Sequence, residues 1–259
     1  MRMTGNGPAA RRTMVLIFVV DTSGSMEGEK IGAVNYAIES VLPELKKISE
    51  GNEEAEIKVA VLEFSSDARW QDSPPPPFSV EQFYRWTYLK TGGVTNFGMA
   101  YRELAKKLSS HNDGFMTASG GSIAPVIILL SDGQSTDASS KYAAALEELR
   151  QNDWFKFAIR IALAIGEAAA KNVLADFTGT EEAVMSAYNK EALIKMLRFM
   201  SVRPSQIRSV NQGWDPGSAL GTAANQMKQV IDEMHDAQNR GELGTDVRDP
   251  WAIWEGGQY

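Results

Sequence analysis

The sequence predicts an α/β fold: a doubly wound central sheet of six strands, mostly parallel, with one antiparallel edge strand and helices on both faces. Three observations carry this expectation. Short, continuously apolar runs alternate with stretches of helical periodicity, the pattern of a sheet covered by helices. The first run, Met14–Val20, contains no polar residue, as a strand buried on both faces requires. Between the runs Ile57–Phe64 and Ala68–Gln71 stand only Ser65, Ser66 and Asp67, too short a link for a parallel crossover, so this pair forms a hairpin.

The elements follow in order. Residues 1–12 read as a loose polar leader and Met14–Val20 as the first strand, closed by the turn Asp21-Thr22-Ser23-Gly24-Ser25. Ile31, Val34, Ile38, Val41, Leu42, Leu45 and Ile48 recur at helical spacing, with Pro43 expected to kink or divide that helix. After the hairpin, Pro74–Pro77 is a stiff connector. Phe97, Tyr101, Leu104, Ala105 and Leu108 mark a second helix, entered from Thr91-Gly92-Gly93-Val94-Thr95-Asn96. A loop over Asn112–Ser122 leads to the strand Pro125–Leu130, which ends at Ser131-Asp132-Gly133. Tyr142, Ala145, Leu146 and Leu149 form a third helix, followed by the strand Phe157–Ile165, a short helix Ala168–Asp176, a strand Ala183–Ala187 and a helix Lys190–Met200. Ser201–Gly213 reads as polar and irregular. These residues therefore define a leader (1–12), one domain (13–201) and a C-terminal extension (202–259).

Composition excludes several functions. The 259 residues contain no cysteine, so disulfides, thiolate metal sites and thiol nucleophiles are ruled out. Only two histidines, His111 and His235, are present, too few for a multi-histidine metal site. With 26 Lys/Arg against 33 Asp/Glu, a net charge of −7, the chain is a poor nucleic-acid binder. Met14–Val20 falls far short of the roughly 20 apolar residues of a membrane span, and Asp21 ends it without an export-type cleavage pattern. A cytoplasmic protein with no membrane role is the expectation.

Three loops carry the chemistry. In an open parallel sheet, ligands sit beyond the carboxyl ends of the strands where strand order reverses. If the order is 3-2-1-4-5-6, Asp21 after the first strand and Asp132 after the fourth face one crevice. Asp21 and Asp132 offer carboxylates, while Ser23, Ser25 and Thr95 offer hydroxyls. That all-oxygen set suits one hard divalent cation: Mg²⁺ first, with Mn²⁺ and Ca²⁺ as alternatives. Few negative charges surround it, so an acidic side chain of a protein partner can complete its shell.

The spacing Asp21-x-Ser23-x-Ser25, then Thr95, then Asp132 resembles the metal-ion-dependent adhesion site (MIDAS) of von Willebrand factor A domains. The strings VVDTSGSM, TGGVTN and LLSDG are similar to that family over roughly residues 13–200. The resemblance implies a Rossmann-like fold, metal contacts at Asp21, Ser23, Ser25, Thr95 and Asp132, and an interaction module without enzymatic activity. Within the family the chain looks most like the bacterial tellurium-resistance TerY branch, which implies a stress or defence setting with kinase and phosphatase partners. The cysteine-rich C-terminal module of some TerY-like proteins has no counterpart here.

A phosphate-directed enzyme using a divalent metal at the same crevice is the alternative, since helix N-termini and Ser/Thr turns also suit phosphate. Against it, the chain has no P-loop, and the second carboxylate usual in aspartyl-phosphate enzymes is replaced by Ser23. A dinucleotide site lacks its Gly-x-Gly-x-x-Gly. In the extension, Leu220, Ala223, Ala224, Met227, Val230, Ile231 and Met234 share one face of a helix over 216–240 that should pack on the domain. Trp251, Ile253 and Trp254 form an aromatic motif suited to docking or self-association, and Asp249 or Glu255 beside it could reach the metal of a neighbouring copy.

Overall fold

The computed structural model describes residues 11–82, 85–111, 113–117, 121–136, 139–166, 171–210 and 216–243. The strands are β1 (Arg12–Asp21), β2 (Ala55–Phe64), β3 (Ala68–Trp70), β4 (Phe78–Ser79), β5 (Ser122–Ser131), β6 (Ile159–Ile165) and β7 (Val184–Ala187). The helices are α1 (Glu29–Glu50), α2 (Phe97–Lys107), α3 (Ser139–Gln151), α4 (Asp153–Phe157), α5 (Lys171–Thr178), α6 (Lys190–Val210) and α7 (Pro216–Asn239).

β1 is central because it has no polar face to give to water. Met14, Leu16, Phe18 and Val20 enter one core with Ile38, Val41, Leu42 and Leu45 of α1 and Met196, Leu197 and Met200 of α6. Val15, Ile17 and Val19 enter the opposite core with Phe97, Tyr101 and Leu104 of α2, Leu149 of α3 and Phe177 of α5. At about 1.5–3 kcal/mol for each large aliphatic or aromatic side chain removed from water, this two-sided burial fixes β1 in the middle of the sheet. It pairs in parallel with β2, Asp21 opposite Phe64, and with β5, Val20 opposite Leu130.

The strand path is β3-β2-β1-β5-β6-β7. With strands counted along that path, this is the order 3-2-1-4-5-6, whose switch point lies between β1 and β5. β3 is the antiparallel edge, with Phe64 opposite Ala68 and Leu62 opposite Trp70. The two-residue β4 adds a seventh strand, pairing antiparallel to β2 at Lys58 and Val59; it is too short to leave a periodic signal in the sequence.

Two expectations are corrected. Pro43 does not divide α1, which is continuous from Glu29 to Glu50. Pro43 and Glu39, whose carbonyl loses its amide donor, both lie on the exposed face, where water can take that donor's place. Residues 201–210 are not irregular: α6 runs through them, with Ser201, Pro204, Ser205 and Ile207 extending its buried face. Ser201 reads as polar but donates its hydroxyl hydrogen to Leu197 O at 2.7 Å, so its burial leaves no orphan group. The short α4 was not foreseen; Asn152 starts it by accepting from Phe155 N at 3.2 Å.

At the N-terminal end, Arg11 donates to the Ser49 and Asn52 carbonyls and pairs with Glu81, so this residue of the expected leader is tied to the domain. In the extension, Val230, Met234 and Ala237 of α7 are buried in the core shared with α6, and Arg203 of α6 pairs with Glu233 of α7 at 2.7 Å. The side chain of Leu220 and the whole Trp251–Trp254 motif, with Asp249 and Glu255, lie outside the described residues. Among the described residues, no helix is long and apolar enough to cross a membrane.

One buried polar contact ties α1 to the segment that leads into the second loop. Asn35, buried on α1, donates to Leu89 O at 3.0 Å and accepts from Leu89 N at 2.8 Å and Trp86 Nε1 at 3.1 Å. Asn35→Ala strands three polar groups at once and should cost about 3 kcal/mol in urea denaturation. A loss below about 0.5 kcal/mol, the level of an ordinary surface substitution, would contradict this role.

Candidate metal centre

Asp21 is the last residue of β1 and is fully buried. Its two carboxylate oxygens are each engaged: Oδ1 accepts from Ser23 N at 2.9 Å and Oδ2 from Ser131 Oγ at 2.6 Å. The first bond bends the chain sharply after the strand. It leads into a single 3-10 turn, Gly24–Met26, for which Ser23 is the N-cap residue but gives no side-chain cap. Gly28, the N-cap residue of α1, likewise gives no side-chain cap. The Ser23 and Ser25 hydroxyls are therefore free of capping duty, and they stand 3.1 Å apart.

The second loop is sewn to the first through main-chain bonds. Gly24 N donates to Gly93 O at 3.0 Å and Gly92 N to Thr22 O at 2.8 Å. Gly93 needs to be glycine: its φ is +81°, and a Cβ there would lie 2.4 Å from Ser66 Oγ. Asn96, not Thr95, caps α2, accepting from Met99 N at 3.0 Å. Thr95 precedes the cap and is buried. Its backbone is pinned by Thr136, whose Oγ1 accepts from Thr95 N and donates to Thr95 O. The Thr95 hydroxyl takes no part in that pairing.

The third loop leaves β5 beside β1. Ser131 ends the strand and bonds Asp21, while its Oγ also accepts from Gly133 N at 2.8 Å. Asp132 follows, almost wholly buried. Its Oδ2 accepts from Lys30 Nζ at 3.1 Å, and the same ammonium donates to Ser25 O at 3.0 Å. Burial is the main cause that raises the Asp21 carboxyl above its ordinary range. The bonds from Ser131 and Ser23 pull it down, and the negative charge of Asp132 pushes it further up.

The crevice thus holds the carboxylates of Asp21 and Asp132, the ammonium of Lys30 and the linked hydroxyls of Ser23 and Ser25, with Thr95 on the adjoining loop. Ser131, Thr136 and Lys30 were not singled out by the sequence. Ser131 and Lys30 left a trace there: a polar residue closing an apolar strand, and a cation in the first turn of a helix, where the dipole disfavours it. Among the described residues, no group of three or more His, Cys, Asp or Glu side chains stands together as a metal cluster; the crevice offers two carboxylates and the paired Ser23 and Ser25 hydroxyls. The donor set fits a divalent cation. Oxygen ligands about 2.1 Å from an octahedral Mg²⁺ stand about 3 Å apart, the separation seen between Ser23 and Ser25.

The comparisons with known proteins agree with this architecture. Proximal thread matrix protein 1 from the mussel byssus superposes with a TM-score of 0.54 at 15% identity, covering 74% of this chain and 49% of that one. Another structure of it, described with a zinc-occupied MIDAS motif, gives a TM-score of 0.54 at 14% identity, covering 74% and 48%. The pilus adhesin SpaC of Lactobacillus rhamnosus GG, in its open conformation, gives 0.51 at 14% identity, covering 86% of this chain and 30% of the adhesin. The chain spans about half the length of the mussel protein, and at such identities the likeness is one of fold. No curated protein sequence matches the chain. Residues 16–198, most of the described sheet and its helices, match the model of the von Willebrand factor type A domain. The chain belongs to the von Willebrand factor type A domain family.

Proposed function

We propose that this protein is a non-enzymatic interaction module in which Asp21, Ser23, Ser25, Thr95 and Asp132 hold a divalent cation, Mg²⁺ before Mn²⁺ or Ca²⁺. A protein partner supplies an acidic side chain to that cation. The observation that carries the reading is the pair of uncapped hydroxyls, Ser23 and Ser25, 3.1 Å apart beside the buried Asp21. Family membership supports it, as does the mussel protein's zinc-occupied MIDAS motif. When bound, the cation supplies an electrophilic position for a carboxylate. This chain's residues do the rest: Ser131 and Ser23 N orient Asp21, Thr136 fixes Thr95, and the paired glycines bring the loops together.

The resemblance of the chain to the TerY branch within that family extends the proposal to a cytoplasmic bacterial tellurium-resistance, stress or defence system. There the partner is a kinase or phosphatase offering a Glu or Asp. An enzymatic role has less support. Among the described residues, the titratable side chains bonded within the crevice are Asp21, Asp132 and Lys30, whereas His235 sits on α7 against Glu182 O and His111 is exposed in the loop after α2.

Metal binding requires ionised Asp21, and this gives a pH test. In the metal-free protein the raised carboxyl favours the fold at acid pH, and that contribution is lost as pH rises through the raised value. The cation acts in the opposite sense, because only the carboxylate binds it. Mg²⁺ at 100 times its dissociation constant should stabilise the fold at neutral pH by about 2.7 kcal/mol. Thermal denaturation should show that gain vanishing as pH falls through the raised Asp21 value, above the ordinary carboxylate range. In Asp21→Ala the gain should be absent at every pH; a gain that survives there removes Asp21 from the ligand set.

The partner is tested by retention. The full chain immobilised with Mg²⁺ should hold a kinase or phosphatase encoded beside it and release it on chelation. Asp132→Ala should weaken retention at least tenfold, as expected from loss of an interaction worth about 1.4 kcal/mol. Retention indifferent to both changes overturns the metal-mediated mode.

A further inference from the structure

We propose that Lys30 is a built-in counter-charge of the metal centre. It weakens hold on the cation and leaves the loaded centre positive, so that the centre selects an anionic side chain. The inference rests on the metal reading above and concerns a residue outside the five-residue ligand set. Lys30 lies in the first turn of α1, where a cation opposes the helix dipole, yet its side chain is only 22% exposed. Its ammonium is fixed from two sides, by Asp132 Oδ2 at 3.1 Å and by Ser25 O at 3.0 Å. Both acceptors belong to residues of the ligand set, so the charge is built into the crevice rather than left on the helix surface.

The charge count gives the consequence. Among the described residues bonded there, Asp21 and Asp132 ionised contribute −2, and Lys30 brings the total to −1. A divalent cation then takes it to +1. Without Lys30 the same crevice goes from −2 to 0. Lys30 therefore opposes metal entry and favours arrival of a carboxylate at the loaded centre, where a neutral site would offer little attraction. A residue that merely steadied Asp132 has the opposite signature: its removal loosens a ligand and weakens the metal.

The test compares the full chain with Lys30→Met, Lys30→Gln and Lys30→Arg, each checked for folding by circular dichroism. Mn²⁺ affinity is measured by calorimetry, and acetate binding to the Mn²⁺-loaded protein by paramagnetic relaxation of the acetate methyl protons. Lys30→Met and Lys30→Gln should bind Mn²⁺ on the order of tenfold more tightly and acetate several-fold more weakly, as expected for removing one charge near a partly solvated ion. Lys30→Arg should stay close to the parent protein in both. Unchanged or weaker Mn²⁺ binding in Lys30→Met and Lys30→Gln, or acetate binding that does not fall, overturns the proposal while leaving the metal centre intact. Failure of the parent protein itself to bind Mn²⁺ overturns the metal reading instead.

Discussion

The buried carboxylate of Asp21 is the constraint around which the rest of the molecule is arranged. It follows seven consecutive apolar residues and has no solvent exposure. An ionised group in that position is unfavourable unless it is hydrogen-bonded and paired. The fold supplies Ser131 from the neighbouring strand and the Ser23 amide from its own turn, yet burial still outweighs them and raises the carboxyl. In the proposed metal centre, a cation completes what the protein groups leave unfinished. The same apolar run that makes β1 central thus creates the electrostatic need at its end.

Convergence of the other two loops depends on how the sheet is wound. β1 and β5 are parallel neighbours, with Val20 opposite Leu130, so the chain leaves both strands on the same side, beyond their carboxyl ends. The chain after β1 turns away toward β2 and that after β5 toward β6, opening the crevice between them. Main-chain bonds from Gly24 and Gly92 then draw the Thr95 loop in from the side, and Asn35 holds the segment before it against α1. Site geometry and fold stability share these contacts, so damage to either is felt in both.

Much of this was legible in the sequence because it rests on local pattern. The run Met14–Val20, the short 65–67 link and the strings around Asp21, Thr95 and Asp132 each constrain a few adjacent residues strongly. What escaped depends on contacts between distant segments. Ser201 and Ser205 look like loop residues until α6 is seen to press them into the core; Pro43 looks like a breaker until its side of α1 is seen to face water. Lys30 reads as an ordinary helix cation, and only the approach of Asp132, 102 residues away in sequence, gives it a role. β4 is simply too short to carry a period.

The most direct test of the account is the position of a bound ion. Crystals of the full chain soaked in Mn²⁺ should give one anomalous peak beyond the carboxyl ends of β1 and β5, about 2.1 Å from the hydroxyl oxygens of Ser23 and Ser25, with Asp21 and Asp132 on either side. No peak there at saturating Mn²⁺, or a peak bound by other residues, would contradict the claim that the buried carboxylate of Asp21 is built to share a metal.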